Sequence, residues 1–195
     1  PEIAARIVAE LALALRYLHD QTDSDGNPLG FVHRDVSPGN VMVTPHGEVK
    51  LIDFGLMKAT QRQDLTRAGV RKGTTAYMSP EQARGETLTN RSDQFPLGIL
   101  LCELASGFHP FDAGDRVETM ERIRTGEPEG MDILPGALRT TVDRLLARSS
   151  SDRFDDMTAV VRALRPARTG LQAADALALA DWCAVVCAAS ETAAG

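Results

Sequence analysis

Two short apolar runs flanking a turn place the strongest constraint on how this chain folds. Residues 41–43 and 49–52 are rich in valine and isoleucine, and the turn between them contains Pro45-His46-Gly47, so we predict a β-hairpin. The outer ends of this hairpin carry Asn40 and Asp53, which it would bring close together. Magnesium prefers oxygen ligands of this kind and usually takes its other ligands from water and phosphate. The pattern therefore predicts a magnesium site at the open end of the hairpin.

A third polar residue, Asp35, precedes Asn40 by five positions and could accept a proton from a hydroxyl group. The segment from His33 to Asn40 (HRDVSPGN) and the segment Asp53-Phe54-Gly55 resemble the catalytic loop and the magnesium-binding loop of protein kinases. The resemblance implies ATP and Mg2+ as cofactors, with Asp35 as the catalytic base. It also implies that Asn40 and Asp53 hold the metal ions.

The same resemblance implies roles for three further residues. Ser37 occupies the position where the family usually has a lysine, and we count it among the catalytic residues. Met42, in the first strand of the hairpin, is expected to contact the nucleotide. Thr74 is expected to form a hydrogen bond near Asp35, and we count it among the catalytic residues. The missing lysine would leave charge neutralisation to the metal ions or to another cation.

Residues 53–81 resemble a kinase activation segment, and residues 73–81 match the form found in serine/threonine-specific kinases. The resemblance therefore implies protein substrates with serine or threonine acceptors. Thr66 is a candidate phosphorylation site in the middle of this segment. Arg34 would either pair with that phosphate or act as a structural hydrogen-bond donor, and the sequence leaves both open.

Helical spacing of apolar residues predicts amphipathic helices in four segments: residues 1–20, 117–125, 138–147 and 151–164. Residues 92–104 are apolar on almost every face, which is typical of a helix in the centre of a domain. The kinase resemblance implies that Asp93 in this helix holds the backbone of the catalytic loop. It also implies an ion pair between Arg153 and Glu81, whereas Arg153 could otherwise be a solvated surface charge.

Composition limits the classes of partner and compartment. The chain has 195 residues and a net charge of −6, with no long cluster of lysine and arginine, which argues against nucleic acid as a partner. Three cysteines with no disulfide-like spacing favour a reducing cytoplasm. Cys183 and Cys187 would share a helix face, but no nearby histidine or cysteine completes a zinc site. We predict no membrane span.

The predicted fold is mainly α with a small β-hairpin, resembling the C-terminal lobe of a bacterial-type serine/threonine protein kinase over residues 1–165. Residues 166–195 are predicted to be a linker followed by an alanine-rich helix of unknown role, either packed on the lobe or leading into a downstream region. The sequence contains no glycine-rich phosphate loop and no strand lysine, so we expect an upstream N-lobe and little activity from this chain alone. Two alternatives remain: a pseudokinase that only binds partners, and a phosphotransferase acting on small molecules.

Overall fold

The computed structural model describes residues 1–53, 74–168, 178–181 and 183. In that part of the chain the fold is mainly α with one small sheet, as predicted. Its helices and strands are α1 (Glu2–His19), β1 (Val41–Val43), β2 (Val49–Leu51), α2 (Pro80–Arg84), α3 (Gln94–Ser106), α4 (Arg116–Thr125), α5 (Gly136–Leu145) and α6 (Met157–Leu164). Short 3-10 helices join them at Pro38–Asn40, Thr74–Tyr77, Asn90–Asp93, Met131–Ile133, Ser150–Asp152 and Pro166–Arg168.

Helix α1 forms one wall of the core. Its apolar residues recur every three to four positions, and Ile7, Leu11 and Leu15 are buried against the rest of the molecule. The helix packs on α3, α6 and strand β2. It ends at His19, within one residue of the predicted end, with Asp20 as its C-terminal cap.

Helix α3 is the central helix of the molecule. Its residues from Gln94 to Cys102 are all buried, which explains why the sequence is apolar on nearly every face. Gly98 allows α5 to approach closely, because a Cβ atom there would lie 2.8 Å from Leu146 Cδ2 and 2.9 Å from Leu145 Cβ. The 3-10 helix Asn90–Asp93 leads directly into α3, so the predicted start near residue 92 is correct to within two residues.

The predicted hairpin is confirmed. Strands β1 and β2 pair antiparallel, with Val41 opposite Leu51 and Val43 opposite Val49. In the turn between the strands, the Thr44 carbonyl accepts a hydrogen bond from the Gly47 amide. Gly47 has a φ of +76°, a conformation that glycine adopts without steric cost. The hairpin rests on α1 and buries Leu51 in the core.

The bounds of two predicted helices need correction, and one α-helix of the described residues was not predicted. The last helix begins at Met157 and not at residue 151, because Arg153 is extended (φ −74°, ψ −175°) and the Asp156 carboxylate caps the helix by accepting from the Ala159 amide. Helix α5 begins and ends two residues earlier than predicted, whereas α4 agrees to within one residue. The short helix α2 was missed because five residues carry little periodic signal.

The C-terminal region contributes to the same core. Residues 178–181 and 183 are helical, and Leu179 is completely buried in the main apolar cluster. The Cys183 thiol, which is half-buried, lies 3.8 Å from the Val43 carbonyl oxygen and donates to it. These contacts place residues 178–181 and 183 against the core, while Cys187 lies outside the described residues and the role of the segment stays a prediction. Among the residues described, no helix is both long and apolar enough to cross a membrane.

Candidate active site

The Asp93 carboxylate holds the backbone of the catalytic loop, as the sequence predicts. Its Oδ2 atom accepts from the His33 amide at 2.8 Å, and its Oδ1 atom accepts from the Arg34 amide at 2.9 Å. The His19 imidazole at the end of α1 also contacts Oδ2, through Nε2 at 2.8 Å. Asp93 is only 1% exposed, so these bonds form away from water, where they are strong.

Arg34 has a backbone conformation that is unusual for a residue with a side chain. Its φ is +70°, in the left-handed region, which costs about 1–2 kcal/mol for an L-residue other than glycine. The bond from its amide to Asp93 holds one side of the residue, and its carbonyl accepts from Gln82 Nε2 at 2.8 Å on the other side. Strain of this kind persists only where surrounding contacts fix it.

Asn40 fixes the orientation of Asp35. The Asn40 Nδ2 atom donates to both the Asp35 carbonyl and Asp35 Oδ2, each at 2.8 Å. The other carboxylate oxygen of Asp35, Oδ1, is buried and receives no hydrogen bond from any described residue. One oxygen of Asp35 is therefore held by Asn40, and the other is a buried acceptor with no partner among the described residues.

His33 supports Asp35 through its ring. Burial lowers the pKa of His33, and this effect exceeds the opposing influence of the nearby Asp93 and Asp35 carboxylates. The ring is therefore neutral at pH 7, which allows its Nδ1 atom to accept from the Asp35 amide at 3.4 Å. The catalytic loop thus carries Asp35 on a backbone held by buried acceptors.

The hairpin brings Asn40 and Asp53 to neighbouring positions, as predicted. The Ile52 amide donates to the Asn40 carbonyl at 2.8 Å, which extends the ladder to the residue before Asp53. Asn40 is buried, whereas the Asp53 side chain is exposed and its φ is +51°. Because the Asn40 amide nitrogen donates to Asp35, its oxygen is the atom that remains for a cation.

These donors fit magnesium, since they are hard oxygen atoms from one amide and one carboxylate. In the described part of the chain, no three or more histidine, cysteine, aspartate or glutamate side chains are grouped so that they could hold a metal ion. Asn40 and Asp53 would therefore supply only part of a coordination sphere. Phosphate oxygens and water would have to complete it, which is the usual arrangement for this ion.

A second segment lies against the catalytic loop and begins with the 3-10 helix Thr74–Tyr77. The Tyr77 hydroxyl donates to the Glu103 carboxylate of α3 at 2.6 Å, and His109 Nε2 contacts the Ala76 carbonyl at 3.1 Å. Burial raises the pKa of Tyr77, and the bond and charge of Glu103 raise it further. This segment is therefore fixed to the central helix.

The predicted ion pair between Glu81 and Arg153 is confirmed. The Arg153 guanidinium donates to both Glu81 carboxylate oxygens, at 2.7 and 2.8 Å, and the two residues are 1% and 4% exposed. Arg153 also donates to the carbonyls of Ala147 and Arg91. Burial alone would raise the pKa of Glu81, but the bonds and charge of Arg153 outweigh it and lower that pKa. The pair joins α2 to the loop before α6.

The remaining predicted site residues differ in how much the structure says about them. Ser37 is buried, and its carbonyl accepts from the Asn40 amide at 2.9 Å, so its backbone opens the turn that carries Asn40. Met42 projects from the hairpin with 47% of its surface exposed. Thr74 begins a 3-10 helix, and its predicted bond near Asp35 stays a prediction. Thr66 lies in residues 54–73, outside the described residues.

Sequence reasoning missed two residues of this region, Gln82 and His19. Gln82 follows Ser79 by three positions, which is the spacing of a capping box, and the structure contains that box. The Ser79 amide donates to Gln82 Oε1 at 2.9 Å, and the Gln82 amide donates to the Ser79 hydroxyl at 3.3 Å. The spacing could have revealed the cap. The bond from Gln82 to Arg34 joins residues 48 positions apart and has no local signal.

Comparison with known proteins shows similarity to protein kinases in each case described below. A family model described as "Protein kinase domain" matches residues 1–178. The chain is 36% identical to the tyrosine-protein kinase MasK of Myxococcus xanthus, over 83% of this chain and 26% of that protein. It is 38% identical to the serine/threonine-protein kinase PknA of Mycobacterium tuberculosis, over 78% of this chain and 38% of that protein.

A third relative is the protein named serine/threonine-protein kinases drp72 of Corynebacterium efficiens. The chain is 33% identical to it, over 87% of this chain and 31% of that protein. The chain thus spans between 26% and 38% of the length of these three relatives.

Proposed function

Because the chain belongs to the protein kinase family, a family of phosphotransferase enzymes, we propose that it carries the catalytic loop of a serine/threonine protein kinase. The reaction would transfer the γ-phosphoryl group of ATP to a hydroxyl group of a protein substrate. The observation that carries this proposal is the asymmetric environment of Asp35. One carboxylate oxygen is held by Asn40, and the other is buried with no hydrogen bond from the described residues.

In this proposal Asp35 Oδ1 accepts a hydrogen bond from the substrate hydroxyl and orients its oxygen toward the γ-phosphorus. A bond forms between that oxygen and the phosphorus, the bond to the β–γ bridging oxygen breaks, and Asp35 receives the hydroxyl proton. Asn40 and Asp53 would hold magnesium, which neutralises charge on the phosphates. Met42 would contact the nucleotide through its exposed apolar side chain.

Two further residues belong to the proposed catalytic group. Ser37 replaces the usual lysine, and its buried backbone supports the turn that presents Asn40. Thr74 would hydrogen-bond near Asp35 from the start of the substrate segment. With no lysine at position 37, more of the phosphate charge would have to be neutralised by cations from elsewhere.

Serine and threonine are the proposed acceptors because residues 73–81 resemble the serine/threonine-specific form of the substrate segment. Two of the three relatives described above carry serine/threonine kinase names, and one carries a tyrosine kinase name. We further propose that this chain is the C-terminal lobe, that it transfers little phosphate without an N-lobe, and that it works in the cytoplasm. The sequence supports the first two points because it contains no glycine-rich phosphate loop.

Substitution of the two aspartates in the full-length protein tests the proposal. Asp35→Ala should abolish phosphoryl transfer to a protein substrate while nucleotide affinity stays within about twofold, because Asp35 faces the acceptor and not the nucleotide. Asp53→Ala should weaken both transfer and magnesium-dependent nucleotide binding. Asp132→Ala is the matched control, since Asp132 is an exposed aspartate remote in sequence from the loop.

Transfer is measured with radiolabelled ATP, and nucleotide binding by calorimetry with and without magnesium. Near-full activity of Asp35→Ala would refute the role of Asp35. Identical behaviour of the two variants would refute the division of roles between base and metal ligand. Nucleotide binding without any transfer by the wild-type protein would favour the pseudokinase alternative.

A further inference from the structure

Gln82 connects the proposed substrate segment to the catalytic loop. Its side-chain oxygen accepts from the Ser79 amide at 2.9 Å, which belongs to the capping box of α2. Its side-chain nitrogen donates to the Arg34 carbonyl at 2.8 Å. A single amide group therefore contacts both segments, with its acceptor atom on one and its donor atom on the other.

The carbonyl that Gln82 holds belongs to the residue before Asp35. Arg34 is in the left-handed region, so its peptide units have an orientation that a residue with a side chain does not favour. Asp93 holds the amide of Arg34 from the central helix, and Gln82 holds the carbonyl from α2. The Arg34 carbonyl belongs to the peptide group that continues into the Asp35 amide, so its direction helps to set the position of the Asp35 side chain.

The other end of Gln82 is fixed as well. The residue beside it, Glu81, forms the buried two-bond ion pair with Arg153, so α2 has little freedom to move away. A change in the position of α2 would therefore reach Arg34 through Gln82. The connection is direct, because it consists of one side chain with a hydrogen bond at each end.

We propose that Gln82 is a positioning residue for the phosphoryl-transfer reaction, which holds Asp35 in place by fixing the left-handed conformation of Arg34. Through Gln82, the location of the substrate segment and the geometry of the proposed catalytic base depend on each other. This inference rests on the proposed function for its kinetic consequence. Its structural half, the contact between Gln82 and Arg34, can be tested without any kinase activity.

The decisive variant is Gln82→Glu in the full-length protein. Glutamate at this capping-box position still accepts from the Ser79 amide, so the cap of α2 is kept. It has no N–H group to donate, so an anionic carboxylate oxygen would face the Arg34 carbonyl oxygen. Gln82→Ala removes both contacts. Asp156→Ala is the matched control, because it removes a helix cap from α6, far from the catalytic loop in sequence.

Two measurements separate positioning from stability. In Gln82→Glu, kcat should fall about tenfold or more with the KM for ATP unchanged, because misplacement of a catalytic group slows the chemical step. Amide hydrogen exchange at residues 33–35 should become about tenfold faster, while exchange in α1 stays as in the wild type. Asp156→Ala should change neither kcat nor the amide exchange at residues 33–35.

Each outcome decides one part of the proposal. Unchanged exchange at residues 33–35 in both Gln82 variants would overturn the structural half. Faster exchange with an unchanged kcat would overturn the positioning role. If the wild-type protein transfers no phosphate, the proposed function fails, and the exchange measurement alone still decides whether Gln82 holds Arg34. A rise in exchange throughout α1 would show general destabilisation and would also overturn the proposal.

Discussion

Replacing Arg153 with methionine should destabilise the folded chain far more than replacing an exposed arginine. Methionine keeps much of the apolar volume that packs near the Phe95 ring, but it cannot donate to Glu81 or to the carbonyls of Ala147 and Arg91. The Glu81 carboxylate would then be buried without a counter-charge. Removing one partner of a buried pair costs about 3–5 kcal/mol, and for a chain of this size that lowers Tm by about 6–20 °C.

The matched control is Arg139→Met. Arg139 pairs with Asp143 one helical turn away, but the two side chains are 41% and 48% exposed. Exposed pairs contribute at most about 1 kcal/mol, so Tm should fall by no more than about 4 °C. Urea denaturation of the wild type and both variants measures the free energies of unfolding. Equal losses of about 1 kcal/mol or less in the two variants would refute the assignment of Arg153 as a buried structural cation.

The same pair predicts how the loss depends on pH. In the wild type the pKa of Glu81 is lowered, so its stabilising contribution is complete above the ordinary carboxyl pKa and is lost as the pH falls through the lowered value. In Arg153→Met the largest influence left on Glu81 is burial, which raises its pKa and is opposed only by the smaller effects of hydrogen bonds from its own amide and from Ser92. Acid therefore favours the folded variant. The difference in unfolding free energy between the two proteins should therefore shrink as the pH falls from 7 toward 4. A difference that grows in acid would contradict this reasoning.

Two further predictions concern packing and capping. Gly98→Ala should cost about 1–3 kcal/mol of unfolding free energy, because the new methyl group would lie within 3 Å of Leu145 and Leu146. Gly136→Ala has open space around it and should stabilise the fold by up to about 1 kcal/mol. Thermal denaturation should therefore show a lower Tm for the first variant and an equal or higher Tm for the second. Asp156→Ala should cost about 1 kcal/mol by removing the α6 cap, whereas Asp156→Asn should lose much less, and a loss of equal size in both would point away from capping.

The sequence predicted those contacts of the site whose residues sit in recognisable motifs. Asp93 and the pair of Arg153 with Glu81 were identified because the kinase resemblance fixes their places in the chain, and the structure forms the predicted bonds. The hairpin followed from valines on both sides of a turn with proline and glycine. The hairpin is specified by a local pattern, whereas the two polar contacts join residues 59 to 72 positions apart and were predicted only because the family motifs mark both partners.

The features that the sequence did not predict depend on contacts between distant segments. The left-handed conformation of Arg34 cannot be read from its residue type, since arginine prefers other regions of φ and ψ. The start of α6 was placed six residues too early, because Arg153 extends to reach Glu81 and interrupts a segment whose side chains look helical. Tertiary contacts overrode the local preference at both positions.

The way Asp93 holds the catalytic loop has a consequence for how freely that loop can vary. Asp93 binds the main-chain amides of His33 and Arg34, and every residue except proline offers the same donor at those positions. These two hydrogen bonds therefore depend on the path of the main chain and not on the side chains at positions 33 and 34. Loops transferred from related proteins should keep this attachment, so the side chains of the loop can change while the contact with Asp93 stays the same.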